Sequence, residues 1–267
     1  MKAKRLVVFT ALLGCLLAAC YTVPQTGRSS FNIIGASQEQ HLGVSAFDEI
    51  KKKETVSSNS VHIAMIERVG KRIAAVADQD IPNAKWEFVL FDNPQANAFA
   101  LPGGKVGVYT GILEITKDDA GLAAVLGHEI GHVAARHGAE RMSEQMALAG
   151  LATGLAIGLE ASGESARTRN LSLLAFGITA TGFRVLPHSR QQESEADRIG
   201  LTYMAKAGYD PKESIAFWER FRDYNKKKGG APPPFLSTHP ADDKRIADLQ
   251  KLLPEAEVYY KTSGKGQ

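Results

Sequence analysis

Apolar residues recur at helical spacing over Ser37–Lys53 (Leu42, Phe47, Ile50) and over Asn59–Ala77 (Ile63, Ile66, Val69, Ile73, Val76), which predicts two helices. The period then changes. Lys85-Trp-Glu-Phe-Val-Leu-Phe91 alternates and is rich in strand formers, and Asn97–Leu101 and Lys105–Thr110 flank Pro102-Gly103-Gly104, so a strand and then a hairpin are expected. From Lys117 onward the helical period returns. Asp118 or Asp119 is placed to cap a helix that carries Leu122, Val125, Leu126, His128 and His132. Two apolar runs follow between Met146 and Phe183, broken by Glu160, Glu164, Arg167 and Arg169, and each is too short to span a bilayer. They read as a helical hairpin packed on the domain, with a membrane-dipping or substrate-gating element as the alternative. Further helices are expected near Gln191–Ala207, Pro211–Tyr224 and Ala241–Leu253, with a Lys-Lys-Lys-Gly-Gly-Ala-Pro-Pro-Pro loop between the last two. The predicted fold class is α+β, mostly helical, with a small antiparallel sheet.

The N-terminus changes this picture. Met1-Lys-Ala-Lys-Arg5, the apolar stretch Leu6–Ala19 and then Cys20 follow the order of a secretory signal, and the stretch is shorter than the roughly 20 residues of a helical span. Leu17-Ala18-Ala19-Cys20 resembles the bacterial lipobox, in which the cysteine is diacylated and becomes the mature N-terminus. Leu12-Leu13-Gly14-Cys15 is a second candidate that would leave a very short apolar region, and an ordinary cleaved signal is the remaining reading. Tyr21, not Asp, follows Cys20, which resembles the outer-membrane sorting pattern of Gram-negative lipoproteins. The chain is therefore expected to divide into a leader (1–19), a polar, turn-rich tether (20–36) and one domain (37–267). Both cysteines lie in the N-terminal segment, so the exported domain has no disulfide and depends on its core and its metal. The formal charge of +3 disappears once Lys2, Lys4 and Arg5 leave, and nothing supports nucleic-acid binding.

Chemistry concentrates in His128-Glu129-Ile130-Gly131-His132. Helical positions four apart share a face, so both imidazoles can meet one ion, with Glu129 beside them. A catalytic zinc needs three protein ligands and an open position for water, whose proton a nearby carboxylate can accept. Glu129 suits that base role and cannot also be a ligand, so a third ligand comes from elsewhere. A metzincin continuation is excluded, because Ala135 stands where its Gly belongs and Gly138 where its His belongs. Gln191-Gln-Glu193-Ser-Glu195-Ala-Asp197 offers the alternative. Glu193 and Asp197 share a face, so Glu193 can complete the site while Asp197 orients a histidine; Glu195 lies on another face. Gly127 and Gly131 would leave room around the metal. His137 reads as a surface or helix-end residue, and His41 and His62 as exposed helix residues. A purely structural zinc site is a rival that needs a fourth protein ligand.

The His128–His132 pentad, Glu193-Ser-Glu-Ala-Asp197, Asn97-Ala-Phe-Ala with Pro102-Gly103-Gly104, and Ser237-Thr-His239-Pro240 together resemble peptidase family forty-eight, the zincin-like gluzincin group, over about Ser37 to Leu253. The resemblance implies one Zn2+ held by His128, His132 and Glu193, with Glu129 as general base. It implies that Asn97, Ala98, Phe99 and Ala100 form an edge strand that pairs with extended substrate. It places His239 near the metal, either donating to the tetrahedral oxyanion or occupying the open position and holding the enzyme latent; the bland alternative is a helix-start residue before Pro240. The absence of long apolar spans resembles the lipoprotein branch. Expected is thus an endopeptidase lipid-anchored through Cys20, facing the periplasm from the outer membrane, with unfolded or misfolded envelope proteins as substrates. The alternative is a chaperone-like assembly factor whose zinc site is latent.

Overall fold

The computed structural model of the protein describes residues 20–180, 186–229 and 231–263. Its contacts divide it into two compact units. One takes in the described parts of Met1–Val23, Gly27–Gly35 and Arg136–Gln192; the other comprises Pro24–Thr26, Ala36–Ala135 and the described part of Glu193–Gln267.

The larger unit opens with helices α1 (Ala36–Lys53) and α2 (Ser60–Ala77). Asn59 caps α2 by accepting from the His62 N–H at 3.1 Å, and Ile66, Val69, Ile73 and Ala77 turn inward. Strands β3 (Glu87–Phe91), β4 (Ala98–Leu101) and β5 (Lys105–Tyr109) form a sheet in the order β3-β5-β4. The β4–β5 hairpin is antiparallel as expected, and Gly103 (φ 88°) and Gly104 (φ 79°) supply the positive φ its turn requires. The sheet as a whole is mixed, however, because β3 pairs with β5 in parallel, Glu87 opposite Lys105 through Phe91 opposite Tyr109. Alternation within one strand marks its buried face but carries no information about its partner's direction. Phe47 of α1 closes the sheet's inner face, 6.3 Å from the Phe91 ring and 6.2 Å from Phe99, with Tyr109 5.9 Å from Phe91.

A short 3-10 turn (Thr110–Ile112) and helix α3 (Leu113–Thr116) lead to α4 (Asp119–Ala134). Asp118 is its cap, accepting from the N–H groups of Ala120 at 3.0 Å and Gly121 at 2.9 Å. Helix α4 is buried along almost its whole length and packs against α2, β4 and α8 (Lys212–Lys228). From Glu193 onward, helix α7 (Leu186–Lys206) belongs to this unit and crosses α4 at backbone contact. A Cβ on Gly127 would lie 2.7 Å from the Gly200 carbonyl oxygen, one on Gly131 2.9 Å from that of Ala196, and one on Gly200 2.6 Å from the His128 nitrogen. These glycines therefore serve the helix crossing; they do not clear space for a metal. After α8, the Pro-rich connection contains a short helix α9 (Pro234–Thr238), whose Phe235 packs on Trp218 at 5.8 Å. Helix α10 (Asp243–Thr262) continues beyond the expected stop at Leu253 through Pro254. Ala256 is buried beyond the proline, and Arg198–Glu255 and Lys206–Tyr259 contacts fasten that last part of the helix to α7.

In the smaller unit, β1 (Cys20–Thr22) pairs antiparallel with β2 (Ser29–Phe31), so the stretch read as a tether includes a two-stranded ladder. It is fastened to helix α5 (His137–Ala161) by polar contacts. Arg28 grips Glu140 through both nitrogens at 2.7 and 2.8 Å, and the Ile33 N–H donates to Ser143 Oγ at 3.0 Å. Arg136, at φ 56°, donates to the Ile34 carbonyl at 2.7 Å and lies over the Tyr21 ring. His137 is fully buried at the start of α5, so the surface reading fails for it. Helix α6 (Ala166–Ala180) returns along α5, which makes the expected hairpin; its end up to Phe183 lies outside the described residues.

The crossing gives a direct test. Gly200→Ala should lower unfolding free energy in urea by about 1–3 kcal/mol and weaken metal binding, because the new methyl must push α7 away from His128.

Candidate metal centre

Helix α4 presents His128 and His132 on one face, with Nε2 atoms 3.1 Å apart. Glu193 of α7 reaches both, Oε2 at 3.3 Å from His128 and Oε1 at 3.3 Å from His132. His239, just past α9, brings Nδ1 to 3.1 Å from His128 Nε2 and 2.8 Å from Glu193 Oε2. The four ligand atoms lie within 4.8 Å of one another. Atoms bound to a tetrahedral ion at roughly 2.1 Å are about 3.4 Å apart, close to the 3.1 to 3.3 Å between the ligand atoms of His128, His132 and Glu193, and this nitrogen-oxygen donor set fits a small divalent cation. Lone pairs of neutral imidazoles aimed at one another repel, and a proton or a metal must sit among them.

Around the cluster lies a second layer. Asp197 Oδ1 is 2.9 Å from His128 Nδ1, on the side of the ring away from the other ligand atoms. Arg245, in the first turn of α10, holds Asp197 with Nε at 2.8 Å and Nη2 at 2.6 Å, and its guanidinium lies 3.5 Å from the centre of the Trp218 ring. The Trp218 ring in turn stands edge-on to His128 at 5.8 Å. Arg245 and Trp218 were missed in the sequence. Arg245 left a faint signal: a cation in the first turn after the Asp242 cap opposes the helix dipole and needs a compensating carboxylate.

The charges follow the same layout. Burial works against a charged His128, and so does Arg245, but the Asp197 and Glu193 carboxylates outweigh both and raise its pKa to about 9. Burial alone would raise Glu193; hydrogen bonds from His128, His132 and His239 hold it far below the usual carboxylate range. Asp197 is likewise kept low against its burial, by the Arg245 guanidinium and then by His128. Glu129 is the exception, raised by burial. Its Oε1 has no hydrogen-bond partner among the described residues and stands 3.5 Å from His239 Nε2.

The structure thus assembles His128, Glu129, His132, Glu193, Asp197 and His239. Glu195 stays out of the cluster, accepting a hydrogen bond from Thr26. Asn97 precedes β4, and Ala98, Phe99 and Ala100 lie on it, the sheet edge against which α4 packs. Cys20 is exposed on β1, in the smaller unit.

A helix with two metal-facing histidines, a buried carboxylate beside them and an acidic residue from a crossing helix is the arrangement of a metallopeptidase. The family model described as peptidase family M48 matches residues 62–253, and the chain belongs to this family. It is similar to the mitochondrial metalloendopeptidase OMA1 of Schizosaccharomyces pombe, 38% identical over 244 residues that cover 90% of this chain and 68% of that protein. It is similar also to OMA1 of Saccharomyces cerevisiae, 36% identical over 264 residues, covering 90% and 71%. The beta-barrel assembly-enhancing protease of Escherichia coli is 28% identical over 229 residues, 86% of this chain but 46% of that protein. The chain is accordingly a metalloendopeptidase, and among the described residues no helix is long and apolar enough to cross a membrane.

Two outcomes test this layout. The folded pKa of His128, about 9, lies above its ordinary 6.5, so in metal-stripped protein the charged ring contributes stability that is full below pH 6.5 and lost as pH rises through 9. Thermal midpoints of chelated protein should fall across that window, whereas metal affinity should rise across it as the ring gives up its proton; a flat profile for both would refute the arrangement. Arg245→Lys keeps the charge but loses the two-pronged grip on Asp197, and should cost about 10- to 100-fold in metal affinity by competition titration.

Proposed function

We propose that this protein hydrolyses internal peptide bonds with one Zn2+ held by His128, His132 and Glu193. The observation that carries the reading is the unpartnered, buried Oε1 of Glu129 beside His128, His132 and Glu193, whose ligand atoms approach one another at 3.1 to 3.3 Å. When bound, the zinc supplies Lewis acidity that lowers the pKa of a water and polarises the scissile carbonyl. Glu129 accepts the water proton and passes it to the leaving amine; its raised pKa suits a group that must both take and give. Asp197, fixed by Arg245, holds His128 Nδ1 so that Nε2 keeps its aim. Substrate lies as an added strand along β4, its backbone pairing with Asn97–Ala100.

His239 supports a second element of the reading. With Nδ1 2.8 Å from Glu193 and 3.1 Å from His128 Nε2, it would compete with a water for a zinc bound by these residues. This chain is therefore latent as folded, and the His239 segment must withdraw before hydrolysis; it can then donate to the oxyanion. The rival, a chaperone-like factor that binds without turnover, shares the closed state.

For location, the leader ending at Ala19 and the lipobox cysteine favour a lipoprotein anchored through Cys20, facing the periplasm from the outer membrane. Unfolded or misfolded envelope proteins are the proposed substrates, in protein quality control; an E. coli relative named for β-barrel assembly fits that setting. Residues 20–36, which include the β1–β2 ladder, would then join the anchor to the domain at 37–267.

Casein cleavage, metal content and site mapping by mass spectrometry decide among these. Glu129→Gln should abolish turnover, by about 10³-fold or more, with zinc retained, and Glu193→Ala should lose both. His239→Ala should raise cleavage if the latent reading is right. Wild-type cleavage by Glu129→Gln at full zinc occupancy would overturn the assignment, and binding without turnover in every variant would favour the chaperone.

A further inference from the structure

The α5–α6 hairpin differs from the rest of the molecule in what it leaves in contact with solvent. Between Met146 and Leu159 there is no charged residue, and the outward side chains are Met146, Leu151 and Ile157, with Gly150, Gly154 and Gly158 facing open space. On α6, Leu171, Leu174 and Ile178 are exposed in the same way. Leu148, Leu155 and Leu159 of α5 and Leu173 and Phe176 of α6 are only partly exposed, so the hairpin already has an inner face and what remains outside is a second apolar face. Beyond Glu144, the charges of the two described helices lie at or beside their turn, where Glu160 pairs with Arg169 at 3.6 Å. Monomeric proteins rarely leave such a surface to water.

What covers this face is indicated by the unit to which it belongs. Cys20 lies on β1; β1 is paired with β2; and the segment around β2 is bonded to α5 through Arg28–Glu140 and Ile33–Ser143. The residue that carries the lipid and the apolar hairpin thus form one compact body. The uncharged run of α5 is roughly 20 Å long at 1.5 Å per residue, short of the ~30 Å hydrocarbon core, so it can lie in an interface but not cross it. A glycine stripe on α5 alone would leave the exposed leucines and isoleucine of α6 without cover in a dimer, whereas a lipid surface covers both helices.

We infer that the α5–α6 hairpin is an interfacial membrane element, lying in the leaflet that holds the Cys20 lipid with Met146, Leu151, Ile157, Leu171, Leu174 and Ile178 among the acyl chains. It rests on the Cys20 reading for the choice of leaflet, and supplies the second signal that makes a lipid anchor stable.

The test separates the two. Protein made from Cys20 onward without the leader carries no acyl group, and should float with phosphatidylethanolamine–phosphatidylglycerol vesicles. The triple variant Leu151→Asp, Ile157→Asp, Leu174→Asp should partition about tenfold more weakly or worse, with unchanged helical circular dichroism and unchanged casein cleavage in detergent. Unacylated protein that stays in the aqueous fraction overturns the inference, as does a stable dimer in sedimentation that the triple variant dissociates. Absence of acylated Cys20 in the native protein, read by mass spectrometry, would overturn the leaflet assignment and the lipoprotein reading while leaving vesicle binding to stand.

Discussion

The site depends on one crossing between helices. Gly127 and Gly131 on α4, each directly before a histidine of the site, and Gly200 on α7 let two backbones meet with almost no side chain between them. Only at that separation does Glu193 reach both His128 and His132. Packing densities in protein interiors allow little relaxation, so a helix pair spaced by ordinary side chains would hold the carboxylate too far away. The glycines are thus part of the metal chemistry, although none of them touches an ion.

Around the crossing the layers are ordered by charge. The histidines and Glu193 meet at the centre; Asp197 stands behind His128; Arg245 stands behind Asp197; and Trp218 closes the apolar side. Isolated buried ions are costly, and each here is compensated by its neighbour. Glu129 Oε1, facing the site, has no hydrogen-bond partner among the described residues, and an unsatisfied acceptor there is what a proton-transfer step needs. His239 lies against His128 and Glu193, and it follows a short helix after a Pro-rich connection, not the rigid crossing. Chemistry and its proposed control are thereby assigned to elements of different stiffness.

Much of this was legible from residue order. The pentad His128–His132 fixed its own geometry, because a four-residue step on a helix is local. The Asp118 cap, the Pro102-Gly103-Gly104 turn and the α5–α6 hairpin also follow from local chemistry. The third ligand was narrowed to the Glu193 helix by the same periodicity, once the metzincin continuation failed. The parallel pairing of β3 with β5, the run of α10 through Pro254, the burial of His137 and the place of Arg245 were not legible. Each depends on a partner far along the chain.

The sequence by itself determined which groups could do metal chemistry, which helix would carry them and that its family is a metallopeptidase one, since these rest on spacing within a few residues. Tertiary structure decided that Gly127 and Gly131 serve a helix contact, that Arg245 sits behind the Asp197–His128 pair, and that His239 joins His128 and Glu193. The physical reason is range: helical periodicity sets direction within a turn or two, whereas a distance of 3 Å between residues more than a hundred positions apart exists only after the core has packed.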